Sequence, residues 1–469
     1  MLDRRRKLGY GAAEMGLVAA EVLIELYLLK FYNVVVGLPS LFTALALGIA
    51  MVWDAVSDPL MGEISDQTAH SWGRRRPYLL PGALALAVTL VVIFNPPAMT
   101  STLSKFLFLL GSYLGITTAM TVIGVPHLAL GGELSFDRDE RTEIFGYRRL
   151  FTTLGLLAGV MLPALALRAM GGDESAQNVG DSRGLAAMAA GALILATTMI
   201  TVRSTRGLDR SLRERSDSLQ LGHLLRAQLG VARSKVFRWL LLAFIVAGLG
   251  RAINASLALY YYEYRLGFTE SDTILYILMP FFLSILGSIP CWVYLSRRYG
   301  KRGPAILGVL GLGVLISIFY PILPVGKFAG PVAIAIVGGF FGGSIILLES
   351  LVADVVDVDE LESGFNREGL YFGMWRMGTK LSRAGGIILS GVLLHFIGFD
   401  AGLGQQAPEV ANRLGWIFGP GVGVLLVVGA LLLLRFPLSD EGHRRIQGEL
   451  IRRRAERKTG LESAKGGDA

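Results

Sequence analysis

Two carboxylates stand in a segment that is otherwise apolar. Asp54 and Asp58 lie within residues 40–64, SLFTALALGIAMVWDAVSDPLMGEI, which is long enough to cross a lipid bilayer as a helix. Charged side chains inside a bilayer are costly, so those that occur there usually have a function. A spacing of four residues places both on one helix face, where their oxygens can share a small hard cation or a proton. The sequence therefore predicts an ion site here.

The composition is that of a membrane protein. Of 469 residues, 52% are hydrophobic and only 17% are charged, and the mean hydropathy is +0.53. These values argue against a soluble enzyme. The sequence contains neither a GxxxxGK[ST] phosphate-binding loop nor a recognisable catalytic or Cys/His metal constellation, and its single Cys291 has no partner for an intrachain disulfide. We expect no catalytic residue, no cofactor and no ATP-driven transport, which leaves an ion gradient as the energy source.

Windows of about 20 apolar residues predict twelve membrane-spanning helices. They lie near residues 10–32, 40–64, 78–97, 103–126, 146–168, 184–203, 236–262, 272–296, 304–324, 329–352, 369–397 and 413–436. Lysine and arginine concentrate in alternate loops, which predicts that these loops and both termini are cytoplasmic. This topology also explains the net charge of +8. We therefore expect membrane lipids, and no nucleic acid, as partners of the basic residues.

An internal repeat divides the chain into two halves. The segment 72–77 (WGRRRP) recurs as 299–304 (YGKRGP), and Phe145-Gly146 with Arg149 recurs as Phe372-Gly373 with Arg376, both with an offset of 227 residues. Such parallel six-helix repeats place a solute site between the halves, near the middle of the membrane. The predicted domains are an N-terminal bundle with the cation site (1–204), a basic cytoplasmic loop (205–235), a C-terminal bundle (236–436) and a basic cytoplasmic tail (437–469).

The halves differ at the paired carboxylates. The positions equivalent to Asp54 and Asp58 are Phe281 and Ile285, so we expect only the first half to bind the cation. Lys380, in turn, corresponds to Thr153. A lysine inside an apolar helix is predicted to be a charge partner or a gate.

Several motifs resemble a known family of carriers. They are KLGYG at 7–11, WDAVSDP at 53–59, WGRRRP at 72–77, Pro126 followed by Asp139-Glu140-Arg141, and Arg367-Glu368-Gly369 before Lys380. Together they resemble the glycoside/pentoside/hexuronide:cation symporters of the major facilitator superfamily, typified by the sodium-coupled melibiose carrier. The resemblance implies an all-α membrane fold of twelve transmembrane helices in two pseudo-symmetric bundles. It also implies a monomeric secondary transporter, not an enzyme, that works by alternating access in a bacterial inner membrane.

The resemblance also assigns two groups of residues. The cation ligands would be Asp54, Ser57, Asp58 and Thr121, with Lys380 as charge partner. Because Ser57 stands where the melibiose carrier has an amide, sodium, lithium and proton all remain open as the coupling ion. The cytoplasmic gating motif between the second and third helices would comprise Gly62, Asp66, Gly73, Arg74, Arg75 and Arg76.

The substrate cavity departs from the family pattern. Val18, Gly124 and Leu128 stand where the melibiose carrier holds its sugar with two aspartates and a tryptophan. An apolar site suits an amphipathic ligand, and the vertebrate sodium-coupled lysophosphatidylcholine transporters are similar in keeping the cation motif. A sugar or glycoside is the first prediction and a lysophospholipid the alternative. A non-transporting receptor or scaffold on the same fold is the alternative of another class.

Charged residues of the first and seventh helices are expected to face each other across the cavity. A Glu21–Arg251 pair there would bind substrate, latch the halves, or only compensate its own burial. Tyr260, Tyr261, Tyr262 and Tyr264, at the end of the seventh span, are expected to form an interfacial aromatic belt. The predicted cavity residues are Val18, Glu21, Gly124, Leu128, Arg149, Arg251 and Trp375.

Overall fold

The computed structural model describes residues 2–135, 138–172, 175–208, 230–231, 234–363, 367–438, 441–450 and 452. Within these ranges the chain forms twelve long helical segments and no strand. The first six are α1 (Arg4–Leu23, continued by π-helical turns at Ile24–Leu28 and Phe31–Val35), α2 (Ser40–Gln67), α3 (Arg76–Phe94), α4 (Thr102–Glu133), α5 (Arg138–Ala169) and α6 (Ala176–Ser204). The second six are α7 (Lys235–Arg265), α8 (Glu270–Tyr299), α9 (Arg302–Ile322), α10 (Ala329–Ser363), α11 (Glu368–Phe396) and α12 (Pro408–Leu433).

The predicted all-α membrane fold is confirmed. Ten of the twelve segments in the described ranges are long and apolar enough to cross a membrane. The other two, α1 and α11, contain charged candidates for function within their length, including Glu21 and Lys380. Most of the predicted loop 205–235 and of the predicted tail 437–469 lies outside the described residues, so these domain limits stay predictions.

The two halves are related by the 227-residue repeat in structure as well as in sequence. Gly73 and Gly300 occupy equivalent turns after α2 and α8, and both have a positive φ, +93° and +79°. This backbone conformation favours glycine, which explains the residue type at both positions. Asn33 and Tyr260 are also 227 residues apart, and the Tyr260 hydroxyl donates to Asn33 Oδ1 at 3.3 Å. Equivalent residues touch in this way only near a pseudo-twofold axis, which therefore passes between α1 and α7.

Small residues allow the helices of each half to pack closely. On α5, a Cβ added to Gly155 would lie 2.4 Å from the carbonyl oxygen of Met15, and one on Gly159 would lie 2.7 Å from that of Ala19. These two glycines form a GxxxG motif, which brings the α5 backbone directly against α1. The packing holds α1 in a fixed position along the boundary between the halves.

Contacts between the halves concentrate toward one end of the molecule. We call the end with the amino terminus and the 67–76 connection the basic end, and the other the far end. At the far end, Lys30 of α1 forms ion pairs with Glu263 and Glu270 of the second half. Arg183 of α6 also pairs with Glu270. The far end is therefore closed by contacts between the halves.

The tyrosines at the end of α7 do not form the interfacial belt expected from the sequence. Tyr260, Tyr261 and Tyr262 are 0%, 0% and 2% exposed. Tyr261 donates a hydrogen bond of 2.6 Å to the carbonyl oxygen of Tyr320, and Tyr262 lies 3.0 Å from the Tyr320 hydroxyl. The prediction was wrong because each hydroxyl has a partner inside the bundle and does not need headgroup water.

Candidate functional site

The predicted cation ligands lie together where α2 meets α4. The Thr121 hydroxyl is 2.8 Å from Asp58 Oδ1 and 3.3 Å from Asp54 Oδ1. Ser57 Oγ is 3.1 Å from the same hydroxyl. Two carboxylates and two hydroxyls therefore face one small volume, and all the groups present are oxygens. This is the ligand type that hard cations such as sodium prefer.

Lys380 reaches these carboxylates from the other half of the molecule. Its ammonium nitrogen is 2.6 Å from Asp54 Oδ2 and contacts Asp58 Oδ2 as well. The side chains of Asp54, Asp58 and Lys380 are 16%, 32% and 41% exposed. The ion pairs are therefore not enclosed by the surrounding protein, and an ion can exchange with them. The ammonium neutralises the same oxygens that a bound cation would need.

A proline interrupts the backbone hydrogen bonding of α2 directly after Asp58. Pro59 lies inside α2 and has no amide hydrogen, so the carbonyl of residue 55 lacks its usual helical partner. The helix is also held against α4 by a hydrogen bond of 2.8 Å from Trp53 Nε1 to Thr118 Oγ1. Further along, a side chain at Gly62 would meet only Val125 of α4, at 4.0 Å. The Trp53–Thr118 bond thus fixes α2 against α4 on one side of the carboxylates, and the two helices leave room between them at Gly62.

The predicted Glu21–Arg251 pair is wrong. Arg383 of α11 contacts two acidic residues of the first helix, at 2.9 Å from Glu25 Oε2 and 3.5 Å from Glu21 Oε2. Arg251 makes no hydrogen bond or ion pair with another described residue; it lies beside Gly248 in a cavity within the second half. The helical periodicity of the sequence could not show whether α7 or α11 supplies the arginine that meets Glu21, because both helices border the first half.

The other predicted cavity residues have different surroundings. Trp375 is 4% exposed and stacks on Phe244 with ring centroids 3.7 Å apart, so it belongs to the core of the second half and is not free to stack on a solute. Gly124 faces open space, since a Cβ there would meet no atom within 4 Å. Val18 packs beside Gly155, Leu128 is half-buried, and Arg149 is exposed.

Glu14 forms the ion pair that sequence reasoning missed. Arg148, not its neighbour Arg149, donates two hydrogen bonds to Glu14, of 2.8 and 2.7 Å. The spacing of Glu14 and Glu21 predicts an acidic face on α1, but it cannot reveal that α5 supplies a cation to the first of them. Glu21 is left as the more accessible acid of that face, with its side chain 41% exposed.

The gating motif forms a charge network at the basic end. Arg75 contacts the carboxylate of Asp66, and its Nε lies 3.2 Å from Glu133 Oε1. Glu133 also accepts from Arg74 at 3.0 Å, and Arg76 donates to a backbone carbonyl of α6 at 2.8 Å. These bonds link α2, α3, α4 and α6 within the first half. The network ties one bundle together as a unit that can move as a rigid body.

A second network at the basic end anchors the amino terminus. The Ser135 hydroxyl donates a hydrogen bond of 2.7 Å to Glu140, and the Leu2 amide donates another. These two bonds, with Lys7 nearby, lower the pKa of Glu140 to about 2. Glu140 therefore stays ionised at any physiological pH.

Together, the paired bundles, the apolar helices and the polar site between them define a membrane transporter of the major facilitator type. Residues 9–440 match the model of the MFS/sugar transport protein family, and the chain belongs to that family. It is a transporter and not an enzyme.

Similar proteins cover nearly the whole chain. YagG of Escherichia coli (strain K12), assigned as a glycoside/cation symporter, is 26% identical over 460 residues, 97% of this chain and 96% of that protein. The isoprimeverose transporter of Lactiplantibacillus pentosus is 24% identical over 93% and 89%. The crystal structure of the nucleoside transporter NupG superposes with a TM-score of 0.66 over 92% of this chain and 100% of that one, at 14% identity. The last comparison shows the fold alone.

Proposed function

We propose that the protein is a cation-coupled symporter of a sugar or glycoside, working by alternating access. The observation that carries this proposal is the contact of Lys380 in one half with Asp54 and Asp58 in the other. A site built from both halves changes when the halves move, so occupancy of the site and conformation are coupled. The similarity to a glycoside/cation symporter and to an isoprimeverose transporter favours a sugar-type solute.

The charges favour one monovalent cation per cycle. Asp54, Asp58 and Lys380 together carry a charge of −1 when all are ionised. One sodium or lithium ion, or one proton, would make the site neutral, which lowers the cost of moving it through a low-dielectric region. Two such ions would leave it positive. Binding of that cation would compete with the Lys380 ammonium for Asp54 and Asp58 and free Lys380 to move.

The distribution of positive charge also bears on the orientation of the protein in the membrane. The lysine- and arginine-rich loops favour a cytoplasmic position for the basic end and both termini. With the far end closed by the pairs of Lys30 and Arg183, this conformation is then closed toward the outside. We propose a bacterial inner membrane as the location and import as the direction.

Uptake into proteoliposomes tests the proposal. Purified protein is reconstituted, and an inward sodium, lithium or proton gradient is imposed in turn with radiolabelled isoprimeverose, methyl β-galactoside and methyl β-glucoside. We expect uphill accumulation with one of these cations and its loss in Asp54→Asn and in Asp58→Asn, with normal yield of folded protein. Gradient-driven accumulation that persists in both variants would refute the assigned site.

An amphipathic solute is the second candidate. Gly124 faces open space, and Val18 and Leu128 offer no hydrogen-bonding side chain, so an apolar ligand has room there. Labelled lysophosphatidylcholine is therefore included in the same panel. Its cation-driven movement, with every sugar inert, would replace the sugar in the proposal while leaving the cation site in place.

A further inference from the structure

A small cavity lies between the halves, one helical turn from Lys380. It is lined by α1, α4 and α11, and its polar side chains are Glu21, Glu25, Tyr113, Thr117 and Arg383. Three isoleucines and a methionine supply the remaining walls. A mixed wall of apolar surface and a few convergent polar groups is the usual construction of a small-molecule site. Of the residues that line it, Glu21 was predicted to face the substrate cavity, and the others were not.

Tyr113 gives an independent sign that the cavity takes a ligand. Its side chain is only 5% exposed and lines the cavity. Its hydroxyl has no hydrogen-bond partner among the residues that the structure describes. The hydroxyl opens into the cavity, so it is available to donate to or accept from a solute there. Tyr113 also lies close enough to Glu21, Glu25, Arg383 and Asp54 to experience their charges.

The carboxylates of the cavity keep free acceptor capacity. Glu25 accepts a hydrogen bond from Arg383 at 2.9 Å, whereas Glu21 is only at the limit of such a bond, 3.5 Å. The Glu21 side chain is 41% exposed. A carboxylate offers about four acceptor positions, so most of those on Glu21 remain available. Hydroxyl groups of a solute could donate to Glu21 and accept from Arg383.

The charged side chains that line the cavity sum to −1. Glu21 and Glu25 contribute two negative charges, and Arg383 contributes one positive charge. A carboxylate on the solute would add to this negative charge, whereas an uncharged group would not.

From these observations we propose that Glu21, Tyr113 and Arg383 form a subsite for a pair of neighbouring hydroxyls on an uncharged sugar. This inference rests on the proposed function. It adds which residues bind the solute and which charge the solute carries. Arg383 stands three residues after Lys380, so the two side chains project from adjacent positions on one side of α11. The subsite and Lys380, the charge partner of the cation ligands, therefore share α11, and both sites bridge the halves.

The test compares neutral sugars with their acidic counterparts in two conservative variants. Cation-driven uptake of methyl β-glucoside and methyl β-galactoside is measured beside that of the corresponding uronides, together with isoprimeverose. The variants are Tyr113→Phe and Glu21→Gln, and the matched controls are Tyr276→Phe and Glu409→Gln, which change exposed side chains. Cation affinity is read separately, from the shift in thermal stability as cation is added.

For the wild type, we expect the neutral glycosides to be preferred over the uronides. Tyr113→Phe should raise KM for the neutral sugar about three- to tenfold, which corresponds to the loss of one hydrogen bond, with cation affinity unchanged. Glu21→Gln should raise KM as well. Because it removes a negative charge, it should also reduce the preference for the neutral sugar over its uronide about tenfold.

The outcomes separate this inference from the proposed function. If the wild type accumulates a neutral sugar and both variants keep its KM and its preference, the subsite is refuted and the symport proposal stands. If the wild type prefers the uronide, the charge argument is refuted. If no sugar is accumulated under any cation gradient, the proposed function and the subsite both fail.

Discussion

At the residue scale, Lys380 is the side chain on which coupling depends. In the absence of another cation it offsets one of the two negative charges of Asp54 and Asp58, across the boundary between the halves. Replacing it by methionine keeps most of the length of the side chain but leaves two carboxylates facing each other. An empty site would then carry two buried charges, and the return of the empty carrier would become unfavourable.

Lys380→Met should therefore separate net transport from exchange. We expect gradient-driven accumulation to fall at least about tenfold, the effect of 1.4 kcal/mol or more, while exchange of labelled for unlabelled solute at saturating cation persists. The measurement compares the two modes in the same proteoliposomes. Lys105→Met is the control, because Lys105 donates to a backbone carbonyl at the far end, at 2.6 Å. Unimpaired accumulation by Lys380→Met would contradict the role assigned to it.

The residues of the site were only partly predictable from the sequence. Asp54, Ser57, Asp58, Thr121 and Lys380 were selected because polar groups inside apolar helices are costly, and the structure brings them together. Their role as cation ligands stays a prediction. Arg383 and Tyr113 were missed. Arg383 contrasts with its apolar helix as Lys380 does, so that signal was present in the sequence, whereas a tyrosine in an apolar helix gives no comparable signal. Which arginine meets Glu21 depends on how α1, α7 and α11 are rotated, and periodicity within one helix does not contain that information.

At the element scale, α1 is positioned by the glycines of α5. The sequence predicted both helices from their apolar length, and the structure shows how closely they approach. A methyl group at Gly159 would lie 2.7 Å from the carbonyl oxygen of Ala19 and equally close to Val22. The helix cannot accept this group without moving α1, the helix that carries Glu21 and Lys30.

Gly159→Ala is therefore expected to destabilise the protein, although alanine favours a helix. Overpacking costs typically about 1–3 kcal/mol, which outweighs the gain of about 0.5–1 kcal/mol from helix propensity. Gly111→Ala, on α4, is the matched control, because its Cβ would meet no atom within 4 Å. Thermal unfolding in detergent should show a lower midpoint for Gly159→Ala and an equal or higher one for Gly111→Ala. Equal midpoints for the two variants would disprove the close approach of α1 and α5.

At the scale of the whole molecule, the repeat predicts two bundles that pivot about the pseudo-twofold axis. The sequence supplied the offset of 227 residues, and the Asn33–Tyr260 hydrogen bond places the axis. The sequence did not supply the conformation. That depends on ion pairs between residues far apart in the chain, such as Arg183 and Glu270, and no local pattern connects them.

The far-end cluster should act as the lock of the conformation described here. Glu270 lies between the cations of both Lys30 and Arg183, and the side chains of Glu270 and Arg183 are 4% and 3% exposed. Removing one partner of a buried ion pair typically costs about 3–5 kcal/mol. That is enough to raise an alternative conformation from about 1% to half of the population or more. Glu270→Gln should therefore shift the carrier toward a state open at the far end.

Spin-label distances across the far end would measure this shift. Cys291 is the single native cysteine, so Cys291→Ser gives a clean background for labels at Leu103→Cys and Val325→Cys. Both positions are exposed, 65% and 63%, and lie on different halves. Glu270→Gln should lengthen the distance between the labels in a large fraction of molecules. Glu409→Gln, which affects only an exposed ion pair on α12, should leave the distribution unchanged. Identical distributions in the two variants would show that the cluster does not hold the far end closed.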